Sequence, residues 1–99
     1  DVVAYGTSDA NLKNNIIPIS DPLDKIKKIG GYYFDWNDKQ TTFKGIDVGV
    51  IAQEIEKILP EIVTTRDNGY KAVKYEKLVP LLIEAIKELK AEIDKLKGI

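Results

Sequence analysis

Ser8 and Lys13 have the types and spacing to support covalent chemistry, and both fall in the stretch YGTSDANLKNNI, residues 5 to 16. A serine hydroxyl is a weak nucleophile until an adjacent base takes its proton. A lysine amine can be that base only when neutral, and lysine's ordinary pKa of about 10.4 keeps it charged near pH 7. Burial in an apolar, water-poor pocket disfavours the ammonium and frees the amine. The same residues have a plainer reading. Ser followed by Asp is an ordinary helix N-cap with an acidic first turn, and on local sequence alone the cap is the commoner outcome.

The two readings differ in geometry. On a continuous α-helix, residues five apart are rotated by about 140° from one another. A working Ser8–Lys13 pair therefore requires a turn or bend between them, and Asp9 or Asn11 in DANL can supply one.

Composition narrows the chemistry. The 99 residues include no His and no Cys. Thiol nucleophiles, disulfides, Ser-His-Asp triads and ordinary zinc sites are excluded, so any enzymatic base must be Lys, Asp, Glu or Tyr. Glu54 and Glu56 lie two apart on an expected helix and face different ways, which argues against glycosidase chemistry. With Gln53 they read as a solvated face. A net charge of −1 from well-mixed acids and bases gives no footprint for nucleic acid or anionic lipid.

The apolar run from Val79 to Ile83 contains a proline and is far below the roughly 20 residues of a spanning helix. No positively charged leader precedes an apolar stretch. With 43% hydrophobic and 31% charged residues, the composition is that of one ordinary domain. The lack of any Met leads us to expect a segment of a longer protein.

The elements that must position the pair follow from periodicity and punctuation. DVVAYGT reads as a short extended segment ending at Gly6, the tail of an upstream β-structured region. SDPLDKIKKIGG reads as a short helix with Asp21 as N-cap, Pro22 at its first position, a Leu23–Ile26–Ile29 stripe and Gly30 as its end. YYFDW alternates, with Tyr32, Phe34 and Trp36 on one face of a strand, and Phe43 is expected on a returning strand. Val48, Ile51, Ile55, Ile58 and Leu59 fall at helical spacing before Pro60. Asp67-Asn68-Gly69 between two β-prone runs predicts a hairpin.

Val79, Leu82, Ile86, Leu89, Ile93 and Leu96 follow at spacings of 3, 4, 3, 4 and 3. This is a heptad seam with β-branched residues at a, Leu at d, and Glu92 and Lys97 at g and e. Glu84 with Lys87, and Asp94 with Lys97, can add same-helix support. Such a helix either folds back on its own domain or meets copies of itself.

Taken in order, SDANLKNNIIPI, LDKIKKIGGYYFDW, GVIAQEIEKILPEIV and VKYEKLVPLLIEAIKELKAEIDKL resemble the intramolecular chaperone of endosialidase family, also called peptidase S74. The resemblance runs from residue 8 to about residue 97. Such domains end phage tailspikes, tail fibres and neck appendages, and a related domain occurs in a membrane-anchored eukaryotic transcription factor family. The resemblance implies a homotrimer that templates the folding of an upstream, intertwined β-rich stalk and then cuts itself off. It places the scissile bond at Thr7-Ser8, with Ser8 as nucleophile and Lys13 as the lysine of a serine-aspartate-x-x-x-lysine pattern. Asp9 matches the aspartate and is carried as a supporting residue with no role assigned. No catalytic role transfers to the AQEIE or KYEKLVPLLIEAIKEL segments.

The expectation is therefore an α+β fold. A small globular head of helices and short β-hairpins (8–75) precedes a long C-terminal helix (76–97) that forms a trimeric coiled coil, and residues 1–7 end the upstream stalk. The usual a/d preference for two strands is set aside because head and stalk can dictate three-fold symmetry. The expected function is a trimerising chaperone and single-turnover self-cleaving serine endopeptidase. Its partners are copies of itself and its own stalk, with no nucleic acid, membrane, cofactor or metal. The expected location is the virion, or the host cytoplasm during assembly. The alternative is a non-enzymatic trimerisation or host-binding tip of a fibre.

Overall fold

The first α-helix begins at a proline, as its punctuation predicts. α1 (Pro22–Ile26) carries Pro22 at its first position and Asp24 in its first turn. Lys28 and Ile29 continue it as a tighter turn, their N–H groups donating to the Lys25 and Ile26 carbonyls. The expected cap is corrected. Asp21 stands at the N-cap position but in the left-handed region, φ 48°, and its side chain makes no capping bond. The Leu23 N–H donates instead to Glu88 Oε1 at 3.4 Å, from a helix 65 residues away. These elements belong to a computed structural model that describes residues 5–98. The strand expected at Val2 and Val3 lies outside the described residues.

β1 (Tyr32–Asp35) pairs antiparallel with β2 (Ile46–Gly49), Tyr32 opposite Gly49 and Asp35 opposite Ile46. Phe34 meets Trp36 edge to face at 4.9 Å, and Trp36 stacks on Phe43 at 4.8 Å. Phe43 is not on the returning strand. Gln40 occupies its backbone: the side-chain amide donates to the Asn37 and Phe43 carbonyls and accepts from the Phe43 N–H. Val48 is likewise on β2, opposite Tyr33, and not on the helix its spacing suggested. Gly49 answers a close approach, since a Cβ there would come within 2.5 Å of Tyr75 Oη.

α2 (Ala52–Ile58) buries Ile55 and Ile58. A 3₁₀ turn at Pro60–Ile62 leads into the hairpin of β3 (Val63–Thr65) and β4 (Lys71–Val73), with Val63 opposite Val73. Its turn falls at Asp67–Gly69 as expected, and Gly69 takes φ 86°, which suits a residue without a Cβ. A second 3₁₀ turn, Tyr75–Leu78, feeds the 19-residue α3 (Val79–Lys97).

The core sits where α3 meets α1 and where α2 meets the second hairpin. Ile55 and Leu81 are wholly buried, with Ile58 and Ala85 beside them. Leu81, Ala85 and Glu88, with Leu78 just ahead of the helix, give α3 its covered stripe at three- and four-residue spacing. The heptad seam lies on another face and stays open, from 39% exposed at Ile93 to 88% at Leu96. The helix thus folds back on its own domain through one stripe and leaves its seam unpaired. Lys87 pairs with Glu84 at 3.5 Å as expected. Asp94 pairs with Lys90, four residues before it, and not with Lys97. The described residues form an α+β fold: short helices, two antiparallel hairpins and one long C-terminal helix.

Candidate active site

The arm before α1 is exposed from Tyr5 through Pro18, so tertiary packing does not order it. Local bonds do. Asp9, in extended conformation at φ −66° and ψ 130°, opens a single 3₁₀ turn over Ala10–Leu12. Its carboxylate accepts from the Asn11 N–H at 2.8 Å, and its carbonyl accepts from the Leu12 N–H at 3.0 Å. The Lys13 N–H closes the turn on the Ala10 carbonyl at 3.1 Å. Lys13 then leaves in extended conformation, φ −123°.

This is the bend required between Ser8 and Lys13. Lys13 Nζ donates to Ser8 Oγ at 2.8 Å. Ser8 does not cap the turn, because Asp9 does so and leaves the serine hydroxyl to the amine. With the amine neutral, the same spacing lets Oγ–H donate to Nζ, the arrangement in which an amine can take a serine proton. The Thr7 carbonyl is the next acyl group along the chain. Ser8 and Lys13 are both exposed, and neither lines the surface clefts beside the second hairpin and the Trp36–Phe43 loop.

On the face of α2 expected to be solvated, Gln53 is exposed, whereas Glu54 and Glu56 are half-buried and bonded to distant residues. Glu54 Oε1 accepts from the Gly30 N–H at 3.1 Å, and Tyr32 Oη donates to Glu54 Oε2 at 2.8 Å. The hydrogen bond to that carboxylate holds the Tyr32 hydroxyl above its ordinary pKa. Glu56 pairs with Lys71 at 2.9 Å, tying α2 to β4. Tyr75 Oη accepts from the Val50 N–H at 3.1 Å. These ties link residues 15 to 25 apart, and no local pattern announces them.

Fold and site together define a small α+β domain that offers a serine–lysine pair on an uncovered arm and an unpaired apolar seam on its last helix. Among the described residues, no helix is long and apolar enough to cross a membrane. The family described as chaperone of endosialidase, peptidase S74, matches residues 8–64, a match that begins at Ser8. The chain is 33% identical over 102 residues to the long tail fibre proteins of Enterobacteria phages K3 and T2, covering 95% of this chain. It is 30% identical over 111 residues to a myelin gene regulatory factor-like protein of Dictyostelium discoideum, covering 94% of this chain. It spans only 8%, 7% and 12% of those relatives' own lengths. The chain belongs to the peptidase S74, chaperone of endosialidase family. Membership makes it a chaperone domain of a peptidase kind.

Proposed function

We propose that residues from Ser8 onward form an intramolecular chaperone that trimerises through α3, templates the folding of an upstream β-rich fibre, and releases itself at Thr7-Ser8. The observation that carries this reading is the 2.8 Å Ser8–Lys13 contact, held across a capped turn one residue beyond the scissile bond. The start of the family match at Ser8 supports the same boundary, with residues up to Thr7 as the end of the client. The similarity to phage long tail fibre proteins supports a place in the virion fibre, or in the host cytoplasm while it assembles.

The reaction follows from the atoms present. Neutral Lys13 takes the Ser8 Oγ proton as Oγ attacks the Thr7 carbonyl carbon. The C–N bond to Ser8 breaks and the lysine ammonium returns the proton to the departing Ser8 nitrogen. An ester between the Thr7 acyl group and Ser8 Oγ results. Water hydrolyses it to a Thr7 carboxylate and restores the serine hydroxyl, now on an N-terminal residue. A lysine is neutral at modest pH only away from water. In one chain the pair is open to solvent, so in this reading assembly covers it and cutting follows correct trimerisation.

The open seam supports the trimer. Six apolar side chains in heptad register are a large unpartnered surface for a small domain. The test is intact mass after expressing the domain behind its native upstream segment. A C-terminal fragment starting at Ser8, absent in Ser8→Ala and Lys13→Ala, is expected. An uncut wild-type trimer would point to a non-enzymatic fibre tip, and a monomer that cuts at the full rate would break the link between cutting and assembly.

A further inference from the structure

Resting on the self-cleavage reading, we infer that Asp9 is a positioning residue: its carboxylate caps the turn that folds Lys13 back onto Ser8, and cutting needs the acceptor there and not its charge. The turn is three residues long, and turns this short do not persist on propensity alone. Residues on both sides of it are exposed, so no packing replaces the local bonds. Of those bonds, the one from the Asn11 N–H to Asp9 Oδ1 is set by a side chain, and it satisfies a donor that the first turn otherwise leaves free.

The consequence reaches Ser8 through geometry. Lys13 has a flexible four-carbon stem whose amine can occupy many positions. Its backbone is placed by its own N–H bond to the Ala10 carbonyl, the closing bond of the turn that Asp9 opens. If the cap is lost the turn opens, the Lys13 backbone swings free, and the Ser8–Lys13 contact becomes one of many. A charge role would instead require the carboxylate to act on the amine directly. Among the described residues the ion pairs are Lys71–Glu56, Lys87–Glu84 and Lys90–Asp94, and Asp9 with Lys13 is not one of them.

The two roles separate cleanly by substitution, because Asn and Ser cap about as well as Asp while carrying no charge. The experiment follows the rate at which the Ser8 fragment appears, across pH, in the full chain with its native upstream segment. Asp9→Ala is expected to slow cutting about 2- to 30-fold, the range of N-cap losses, with the pH midpoint unmoved. Asp9→Asn and Asp9→Ser are expected to cut within about 2-fold of wild type. Asp9→Asn as slow as Asp9→Ala, a shifted pH midpoint in Asp9→Asn, or a wild-type rate in Asp9→Ala would each overturn the inference while leaving the Ser8–Lys13 reading intact.

Amide exchange at Asn11 gives a second readout that does not depend on cutting. Protection present in wild type and Asp9→Asn but absent in Asp9→Ala is expected. Equal protection in all three overturns the capping role. A wild type that never cuts overturns self-cleavage and Asp9's part in it, and the exchange experiment then still decides the cap.

Discussion

The arm and the head of this domain are ordered by different means. The arm from Tyr5 to Pro18 has no buried side chain, and its one structured feature is a turn made of bonds between near neighbours. The head is held by contacts between distant segments: α3 on α1, α2 on the second hairpin, and Glu54 and Glu88 reaching across to backbone N–H groups. The contrast teaches where partners must act. The head's contacts are made within one chain, whereas the arm and the α3 seam present apolar side chains that one chain does not cover. Tyr5 is 96% exposed and Ile17 81%. In the proposed reading, chemistry sits on the part that waits for cover, and stability on the part that does not.

The largest expected effect isolates the arm. Lys13→Arg keeps a long cationic side chain that can still donate to Ser8 Oγ, but a guanidinium does not give up its proton in a protein. Losing a general base lowers a rate by about 10²- to 10⁴-fold, and cutting should fall by that factor. The melting temperature of the head should not move, because Lys13 is exposed and its hydrogen bonds run to Ser8 and Ala10 within the arm. Cutting at the wild-type rate in Lys13→Arg would remove the lysine from the chemistry.

A pair of substitutions on α3 tests whether its two faces do different work. Leu81 is wholly buried, and Leu81→Ala should cost about 2–5 kcal/mol in chemical denaturation of the head. Ile86 lies on the seam, 66% exposed, so Ile86→Asp should leave the head's own stability within about 0.5 kcal/mol. If copies meet along the seam as proposed, the same change places a charge between them, and sedimentation should then find monomers. If Ile86→Asp unfolds the head, or leaves the oligomer unchanged, the seam is not the free face assigned to it.

The arm was more legible in the sequence than the head, for a physical reason. A bend between Ser8 and Lys13 follows from helical geometry once the two are required to meet, and Asp or Asn as its source follows from their short polar side chains. The hairpin at Asp67-Asn68-Gly69 was readable for the same cause, since turn chemistry is local. The errors gather where tertiary partners decide. Val48 kept helical spacing with Ile51 and Ile55 yet pairs with Tyr33 in a ladder, and Phe43 lost its strand to the Gln40 side chain. Asp21 looked like a cap, but α1 takes its acceptor from Glu88. Heptad spacing found the open seam and said nothing of the Leu81–Ala85 stripe beside it.

A smaller effect tests the ties that sequence missed. Glu54→Ala strips the acceptor from the Gly30 N–H and the Tyr32 hydroxyl, both near enough to water to recover part of the loss. Destabilisation of about 1 kcal/mol is expected in denaturant titration. No change at all would mean that these bonds merely decorate the contact between β1 and α2.

The smallest expected effect lies at Asp47 and turns on the sign of a titration. Its two carboxylate oxygens accept from the Val48 N–H at 2.8 Å and from Trp36 Nε1 at 3.0 Å. The Val48 N–H and then the indole favour the charged form and lower the Asp47 pKa, with desolvation opposing them. A carboxyl whose folded pKa lies below its unfolded value stabilises the fold above the unfolded value, about 3.9. That contribution is lost as pH falls from there through the folded value. Because the group is open to solvent, the change should be confined to the first hairpin and weak. Trp36 is the single tryptophan of the chain, so its fluorescence reports this corner alone. Emission should shift toward that of a water-exposed indole as pH falls below about 4, and in Asp47→Asn, which keeps an acceptor but cannot titrate, the shift should flatten. An equal acid shift in Asp47→Asn would place its origin elsewhere in the hairpin. A flat response in both would mean that the Trp36–Phe43 stack holds the corner without the carboxylate.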